Sequence, residues 1–289
     1  MPEKIAKNLT QEYWDNLLDE NFSLKGVGWP NWPESYNLII YKKYLKGFEK
    51  VFQDLNSNFN YQLILNTNVL EIGPGTGFYT NYFLQAGVKN YTGCDISETS
   101  IVNLKKKYPE YTFLRKDISV TDEFTEQNKN KFDLICVVDV FLHITDTEKF
   151  KNAVKNLSEM AKPNGIFIIG DAVSVYRRNS HSEGSKYTHD MSRHVDVFKN
   201  EFSKYGIELL KINHRENFLL NKNFDFKYPF FEIFTKPFFF LLNGGLSVFR
   251  NSNFIGSLVG LPLSLLDNII VPFQKYSKNS KFLLFKKVK

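Results

Sequence analysis

Three glycines and a carboxylate carry the clearest chemical signal in this sequence of 289 residues. Gly73, Gly75 and Gly77 follow a short apolar run, in the stretch "VLEIGPGTGFYT". Residues without a Cβ let the backbone turn tightly and approach a bound molecule closely. Asp95 follows at a distance along the chain where a carboxylate can accept hydrogen bonds from the hydroxyls of a ribose. The pattern predicts a site for an adenosine-containing cofactor.

The spacing of the glycines distinguishes between two such cofactors. A bend that binds pyrophosphate has the spacing G-x-G-x-x-G, whereas this one reads G-x-G-x-G. A carboxylate, Glu71, stands two residues before the first glycine. An anion there repels phosphates and tolerates an ammonium and a sulfonium. The bend therefore favours S-adenosylmethionine over NAD.

The elements that would position this bend follow from an alternation of apolar runs and helical patterns. Strand-like runs begin at residue 68, and the fourth, "FDLICVV", is almost continuously apolar, as in a strand covered on both faces. A sixth run, "IELLKINH", and a last one, "KFLLFKKVK", complete seven strands. The pattern predicts an α/β fold with a doubly wound, Rossmann-like sheet. Helices are predicted before it, over residues 9–20 and 36–55.

Four motifs in this order resemble the class I S-adenosylmethionine-dependent methyltransferases. They are "VLEIGPGTGFYT", "GCDIS", "LRKDI" and "FDLICVVDVFLHI" with the following "NGIFIIGD", and they cover residues 66–172. The resemblance implies a cap over residues 1–60, a cofactor-binding core over 61–216, a Phe-rich insert over 217–279 and a final strand over 280–289.

The resemblance also implies roles for the residues at the strand ends. Glu71, Gly73, Gly75 and Gly77 would line the methionine side of the cofactor, and Asp95 would hold the ribose.

The adenine side follows from the next motif. Asp117 would meet the adenine amino group, with Ile96 and Ile118 packed on the ring; the alternative for Asp117 is a turn or cap residue. Asp139 would lie beside the methyl group.

The segment "NFSLKGVGWPNWPESYNLIIYKKYLKGF" resembles the N-terminal part of a bacterial subgroup of these enzymes, where it folds over the cofactor. Tyr36 or Trp29 would then touch the methionine end. Alternatively, these aromatic side chains pin the helical cap to the sheet.

Methyl transfer to an alcohol needs a base, and histidine is the usual one near neutral pH. His143 follows the fourth strand on the rim where an acceptor would arrive, and His181 and His189 lie in the polar loop after the fifth. Each has a structural alternative. The cluster "HSEGSKYTHDMSRH" matches no metal-ligand spacing, so no metal is expected.

The insert has two interpretations. Eleven phenylalanines lie between Phe218 and Phe254, and they either form a lid over the acceptor or meet a lipid surface. A membrane-spanning helix is not expected, because Pro262, Asp267 and Pro272 interrupt the longest apolar run.

Charge and composition narrow the class of partner. The net charge of +6 equals the number of lysines from residue 275 onward, so it describes a tail suited to a membrane surface or an anionic partner. "DVFL" stands where methyltransferases of DNA amines carry Asn-Pro-Pro-Tyr, and nucleic acid is not expected. Both cysteines lie in apolar runs, and the first residues have no signal-peptide core, so we expect a cytoplasmic protein.

The sequence therefore predicts methylation of a small molecule, with a sugar or glycan hydroxyl as the acceptor. The alternatives are a lipid, fatty acid or quinone at the membrane surface, and a protein that binds S-adenosylmethionine without catalysis. The oligomeric state is left open.

Overall fold

The structure is a computed structural model. It describes residues 2–59, 61, 66–176, 191–220, 225, 228, 230, 232–273 and 280–288, with side chains from residue 11 onward.

Three helices precede the sheet: α1 (Pro2–Glu20), α2 (Leu24–Val27) and α3 (Glu34–Phe59). α1 begins earlier than the predicted helix at 9–20, because Pro2 suits the first helical position and good helix formers follow it. α2 lies between the two predicted helices. Its first turn is capped by Ser23, whose side chain accepts from the backbone N–H of Lys25.

The sheet has eight strands. They are β1 (Asn68–Ile72), β2 (Asn90–Asp95), β3 (Thr112–Arg115), β4 (Phe132–Val138), β5 (Ala161–Ser174), β6 (Arg193–His194), β7 (Ile207–His214) and β8 (Ser280–Lys287). Their order is β3-β2-β1-β4-β5-β8-β7, with the short β6 pairing to the end of β5. β8 runs antiparallel to both β5 and β7, whereas the first five strands are parallel. The predicted doubly wound sheet of seven strands is confirmed, with β6 as an addition.

Helices cover both faces of the sheet. They are α4 (Phe78–Gln85), α5 (Glu98–Lys107), α6 (Glu123–Gln127), α7 (Thr147–Met160) and α8 (Val195–Ser203). Alternate residues of β4 enter two separate cores: Ile135 and Val137 pack with α7 and α8, whereas Leu134 and Cys136 pack with α3, α4 and α5. This explains why β4 is apolar along its whole length.

Three neighbouring parallel strands end at the same edge of the sheet. β1 lies between β2 and β4, so the chain after Ile72, Asp95 itself and the chain after Val138 come together there. Ligands of doubly wound sheets bind at this edge.

The insert forms two helices, α9 (Glu232–Val248) and α10 (Asn253–Ile270), followed by a single 3-10 turn, Val271–Phe273. We call residues 232–273 the apolar hairpin. α10 packs along α3, and no described residue of the hairpin lines the cavity at the strand ends. Over its described residues, the hairpin therefore does not have the position of a lid.

The lysines near the C-terminus are not all part of a solvated tail. Lys281 is fully buried at the start of β8 and forms an ion pair with buried Asp225, at 3.1 Å. Lys287 donates to the carbonyl oxygens of Ser158 and Ala161. The basic tail that the sequence suggested therefore excludes these two lysines, since a pattern of lysines does not show which of them face the domain.

Candidate functional site

The glycine bend between β1 and α4 adopts a backbone that other residues rarely take. The φ angles of Gly73, Gly75 and Gly77 are 69°, 56° and 81°, in the left-handed region that glycine enters without steric cost. A Cβ on Gly73 would stand 2.3 Å from Val140 Cγ2, and one on Gly75 would stand 3.1 Å from Val27 Cγ1. The bend needs glycine for its turn and for the space around it.

Asp95 is tied to the bend across the edge of the sheet. Its Oδ2 accepts hydrogen bonds from the backbone N–H of Gly75 at 3.0 Å and from Ser100 Oγ at 3.1 Å, and its Oδ1 accepts from the N–H of Ser97 at 3.0 Å. Burial raises the pKa of Asp95, although these donors act to lower it. The backbone N–H of Ile96 is a further donor, so the chain itself uses most of the roughly four acceptor sites of this carboxylate.

The chain after β3 forms a second wall. Asp117 Oδ1 accepts from the N–H of Ser119 at 3.0 Å and from its Oγ at 2.6 Å. Asp117 is thus a turn residue, as its alternative interpretation had it, and it also lines the cavity together with Ile96 and Ile118. The two isoleucines place apolar surface beside the two carboxylates.

Asp139 follows β4 and forms an ion pair with a buried arginine. Its φ angle is 56°, and its Oδ2 lies 2.8 Å from Nη1 of Arg215, which is 1% exposed. The guanidinium lies between the rings of Tyr44 and Phe282, at 4.8 and 5.0 Å from their centroids. Burial opposes the charge of Arg215, but Asp139 together with Tyr79 and Tyr44 outweighs it, and the pKa of Arg215 lies above its ordinary value.

A short 3-10 turn, Phe141–His143, carries the histidine that the sequence singled out. Asp171, at the end of β5, accepts from the N–H of Leu142 at 3.1 Å. Arg193 donates to the carbonyl oxygens of Phe141 and Ile144. Burial raises the pKa of Asp171 to about 7, and the neighbouring Asp139 adds to the rise. Two buried side chains therefore fix the turn from behind.

α1 covers this turn from the front. The rings of Trp14 and His143 meet edge to face with their centroids 4.9 Å apart. Ser97 Oγ donates to Asp15 at 2.6 Å, and Thr99 Oγ1 donates to Asp19 at 2.5 Å. These bonds hold α1 across the strand ends, so the predicted cap does fold over the site.

These elements enclose one cavity, which we call the bend cavity. Its walls include eight residues that the sequence predicted: Gly73, Gly75, Asp95, Ile96, Asp117, Ile118, Asp139 and His143. The described walls do not include Tyr36, Glu71 or Gly77, while His181 and His189 lie outside the described residues.

Tyr36 packs away from the bend cavity. It is fully buried, its Oη donates to the carbonyl oxygen of Leu220 at 3.1 Å, and its ring meets Trp32 edge to face. Trp29 stacks on Trp32 at 4.6 Å. The alternative interpretation, in which these aromatic side chains pin the cap, fits this packing. Tyr41 faces the cavity instead, because five residues along a helix rotate the side chain to a direction about 140° from that of Tyr36.

Glu71 and Gly77 support the bend from behind. Glu71 is buried and accepts from Thr80 Oγ1 at 3.0 Å and from Tyr91 Oη at 2.5 Å. Burial raises the pKa of Glu71 to about 7, which weakens the argument that its charge repels phosphates. Gly77 precedes α4, where a Cβ would stand 2.7 Å from the ring of Tyr108.

Several cavity residues could not be found from sequence motifs. Trp14 and Tyr41 belong to the cap and Tyr79 to α4. Arg215 does not line the cavity but binds Asp139, which does. Tyr79 Oη is buried and has no hydrogen-bond partner among the described residues. Buried polar atoms are nearly always paired, so a polar ligand group fits this position.

Neither the described histidines nor the carboxylates form a metal site. Within the described ranges no group of three His, Cys, Asp or Glu side chains could hold an ion. His194, the one described histidine of the predicted cluster, caps α8 by accepting from the N–H of Asp196.

Comparison with known proteins identifies the domain. Residues 70–167 match the family model of a methyltransferase domain. Nodulation protein S of Sinorhizobium fredii is 29% identical over 42% of this chain and 55% of its own length. A methyltransferase of Oceanobacillus iheyensis is 33% identical over 44% of this chain and 57% of its own length. The chain thus spans little more than half of these two relatives, whereas it covers 90% of a methyltransferase of Bacillus cytotoxicus at 25% identity.

Solved structures share the fold. A candidate sarcosine dimethylglycine methyltransferase from Galdieria sulphuraria has a TM-score of 0.50 at 15% identity, covering 83% of this chain and 86% of its own. A candidate methyltransferase from Listeria monocytogenes has a TM-score of 0.50 at 14% identity, covering 84% and 98%.

The fold is therefore the doubly wound fold of these two structures. Residues 70–167 of this chain match a methyltransferase domain, and the bend cavity lies at the strand ends of that domain.

Proposed function

We propose that the protein transfers a methyl group from S-adenosylmethionine to a small-molecule acceptor. The observation that carries this proposal is the bend cavity itself. In it, the glycine bend, two carboxylates at successive strand ends and the turn that carries His143 share one enclosed space.

The residues present fit the cofactor. Gly73 and Gly75 would let the backbone lie against its methionine part, Asp95 on the cavity wall would accept from a ribose hydroxyl, and Asp117 would accept from the adenine amino group. The unpartnered Oη of Tyr79 provides a further donor. When bound, the cofactor supplies an electrophilic methyl group on a sulfonium.

The chain's own contribution to the reaction is position and proton transfer. Trp14 and α1 exclude water from the cavity, which holds nucleophile and electrophile together. Arg215 neutralises Asp139, so the wall near the reacting atoms carries an ion pair and no net charge. His143, held by Asp171 and Arg193 through its turn, is the base that takes the proton of a hydroxyl acceptor.

For the acceptor we propose a sugar or glycan hydroxyl. The cavity wall combines aromatic side chains, which pack on sugar rings, with polar groups near the strand ends. The exposed apolar hairpin favours a second candidate, an acceptor that is itself a lipid or is linked to one. Both cysteines are free and buried, in keeping with a reaction in the reducing cytoplasm.

An acceptor screen tests this proposal. The purified chain is incubated with labelled S-adenosylmethionine and with panels of sugars, lipid-linked sugars, fatty acids and amines, and S-adenosylhomocysteine release is measured. Turnover with a hydroxyl acceptor supports the proposal, and turnover with amines alone contradicts its hydroxyl part. Tight cofactor binding without turnover on any panel would indicate a binding protein.

A further inference from the structure

The apolar hairpin presents its large apolar side chains to the outside. On α10, Phe254, Leu258, Leu261, Leu265 and Ile269 follow one another at intervals of three and four residues, and they are 55–74% exposed. This spacing places them on one stripe along the helix. The other exposed side chains of the hairpin are Ile233, Phe234, Phe238, Phe240, Leu241, Val248, Phe249, Leu266 and Phe273.

Three polar side chains of the hairpin bind the rest of the domain. Asp267 is fully buried and accepts from the backbone N–H of Leu219 at 2.6 Å. Asn268 Oδ1 accepts from Lys43 Nζ at 2.8 Å, and Trp32 donates to Asn243 at 2.8 Å. Apolar side chains of the hairpin, among them buried Leu246 and part-buried Val259 and Leu263, also pack on Trp32 and Tyr36. The hairpin therefore turns large apolar side chains outward as well as inward, unlike a usual surface helix.

Small residues let α10 pack closely against α3. A Cβ on Gly256 would stand 2.6 Å from Pro33 Cβ, and a Cβ on Gly260 would stand 2.7 Å from Ile39 Cδ1. α10 therefore lies directly against α3, with its glycines at the contact. The packing fixes which face of the helix is turned to the outside.

The charges of the hairpin are distributed unevenly. Its acids are Glu232, which is 13% exposed and paired with Lys236, and the buried Asp267. Its cations are exposed: Lys236 stands near the start of α9, and Arg250 at the turn between the helices, where Lys25 donates to its carbonyl oxygen. The outward face thus combines apolar side chains with cations at both ends.

We propose that the apolar hairpin docks the protein on the surface of a bilayer that contains anionic lipid. Monomeric proteins rarely expose an apolar area of this extent unless something covers it. A surface that binds a protein usually has a polar rim, with Tyr, Trp and Arg as its main anchors. The outer face of the hairpin instead carries Phe, Leu and Ile, with cations at its ends. That combination binds the boundary between headgroups and acyl chains.

The hairpin lies on the bilayer and does not cross it. Residues Asn253–Phe273 are long and apolar enough to span, with a mean hydropathy of 1.8 and 22% of that stretch buried. Spanning would break the bonds of Asp267 and Asn268 to the domain and would place the Asp267 carboxylate in hydrocarbon, which is costly.

Docking would bring the bend cavity close to the membrane. α2 joins the two places: Lys25 contacts the hairpin turn, and Val27 lies on the cavity wall next to Gly75. The docking surface does not depend on the proposed methyl transfer, since lipid binding needs no turnover.

Vesicle flotation of the full chain tests the proposal. Vesicles of phosphatidylcholine alone are compared with vesicles that also contain phosphatidylglycerol. The test variant is Leu258→Gln with Leu265→Gln. The matched control is Val102→Gln with Val120→Gln, which changes two exposed apolar side chains outside the hairpin, 41% and 39% exposed. Thermal unfolding verifies that both variants are folded, and light scattering reports the mass of each.

The proposal expects the wild-type chain and the control to float with the anionic vesicles. The hairpin variant should bind at least about tenfold more weakly, because it lacks two leucine side chains that docking would bury in lipid. Lys236→Gln with Arg250→Gln should reduce the preference for anionic lipid by about tenfold. The proposal would be overturned if the wild-type chain did not float, or if the control lost binding equally. It would also be overturned if light scattering showed a wild-type dimer that becomes a monomer in the hairpin variant. Binding that ignores lipid charge would overturn its anionic part.

Discussion

At the scale of single residues, the strand-end carboxylates have different tasks although they lie close together. Asp95 is used mostly for the bend and keeps little acceptor capacity for a ligand. Asp139 is neutralised by Arg215, and Asp171 positions the turn of His143. Three acids around one cavity thus act as a ligand holder, an ion-pair partner and a brace.

Asp95→Asn should weaken binding of S-adenosylhomocysteine by about ten- to a hundredfold, the usual loss for a hydrogen bond to a charged group. The asparagine keeps an acceptor for the helix-capping N–H of Ser97, so the fold should survive better than with alanine. Calorimetry measures the affinity. Asp146→Asn is the matched control, because the Asp146 carboxylate also accepts a backbone N–H at the start of a helix, that of Lys149, without lining the cavity. Equal losses in both variants would contradict the ligand role.

His143→Ala should lower kcat for a hydroxyl acceptor by about a hundredfold or more, the usual contribution of a general base. Its effect on S-adenosylhomocysteine affinity should be several-fold at most, because Asp95 and the bend remain. Added imidazole should restore part of the rate. Unchanged kcat, or a loss confined to cofactor affinity, would show that His143 only lines the wall beside Trp14.

Glu71 predicts a pH-dependent stability. Burial raises its pKa to about 7, so between its ordinary value and about 7 the folded chain binds the proton more tightly than the unfolded chain. Protonation stabilises the fold in this window, and the contribution disappears as the pH rises through about 7. The shift corresponds to about 3 kcal/mol.

Glu71→Gln removes that dependence. Chemical unfolding of wild type and variant should show that the variant gains relative stability as the pH rises from about 5 to about 8. Asp171 titrates in the same direction in both proteins and cancels in the difference. A difference in unfolding free energy that is constant with pH would contradict the raised pKa of Glu71.

At the scale of elements, the contact between α3 and α10 determines how the insert sits. Gly256→Ala should destabilise the protein by about 1–3 kcal/mol, because the new Cβ would overlap Pro33 and Ser35. Gly245→Ala on α9 is the control: nothing lies within 4 Å of its Cβ position, and alanine should add up to about 1 kcal/mol of helix stability. Thermal unfolding compares the two, and a similar stabilisation in both would contradict the close packing.

At the scale of the whole molecule, the ion pair of Lys281 with Asp225 ties the chain before the hairpin to the sheet. Burial lowers the pKa of Lys281 to about 8, although Asp225 acts to raise it. Lys281→Met should cost about 3–5 kcal/mol, because the Asp225 carboxylate is left buried without its cation. Lys286→Met on the same strand should stay within about 0.5 kcal/mol. Equal effects in denaturant unfolding would contradict this.

The sequence predicted the sheet and most of the cavity wall, because strand ends of a doubly wound fold meet at one edge. Spacing placed Gly73 and Asp95 there, the resemblance placed Asp117 and Asp139, and all four line the bend cavity. Arg215 could not be predicted, since it reaches Asp139 from a strand 76 residues further along the chain.

The sequence could not predict which way a side chain on a helix faces, or which charged side chains are buried. Tyr36 and Tyr41 are both tyrosines of one helix, and their facing depends on where α10 packs. Lys281 reads as a solvated charge until Asp225 is placed beside it. The burial of Asp267 could not be predicted either. In the sequence it interrupts an apolar run, whereas in the structure it is buried against the domain.

The most direct measurement is calorimetric titration of the full chain with S-adenosylhomocysteine and, separately, with NAD. Binding of S-adenosylhomocysteine with a Kd of about 1 μM or tighter, roughly 8 kcal/mol, with no heat from NAD, is the expected result. Heat from NAD with none from S-adenosylhomocysteine would contradict the assignment of the bend cavity and every residue role built on it.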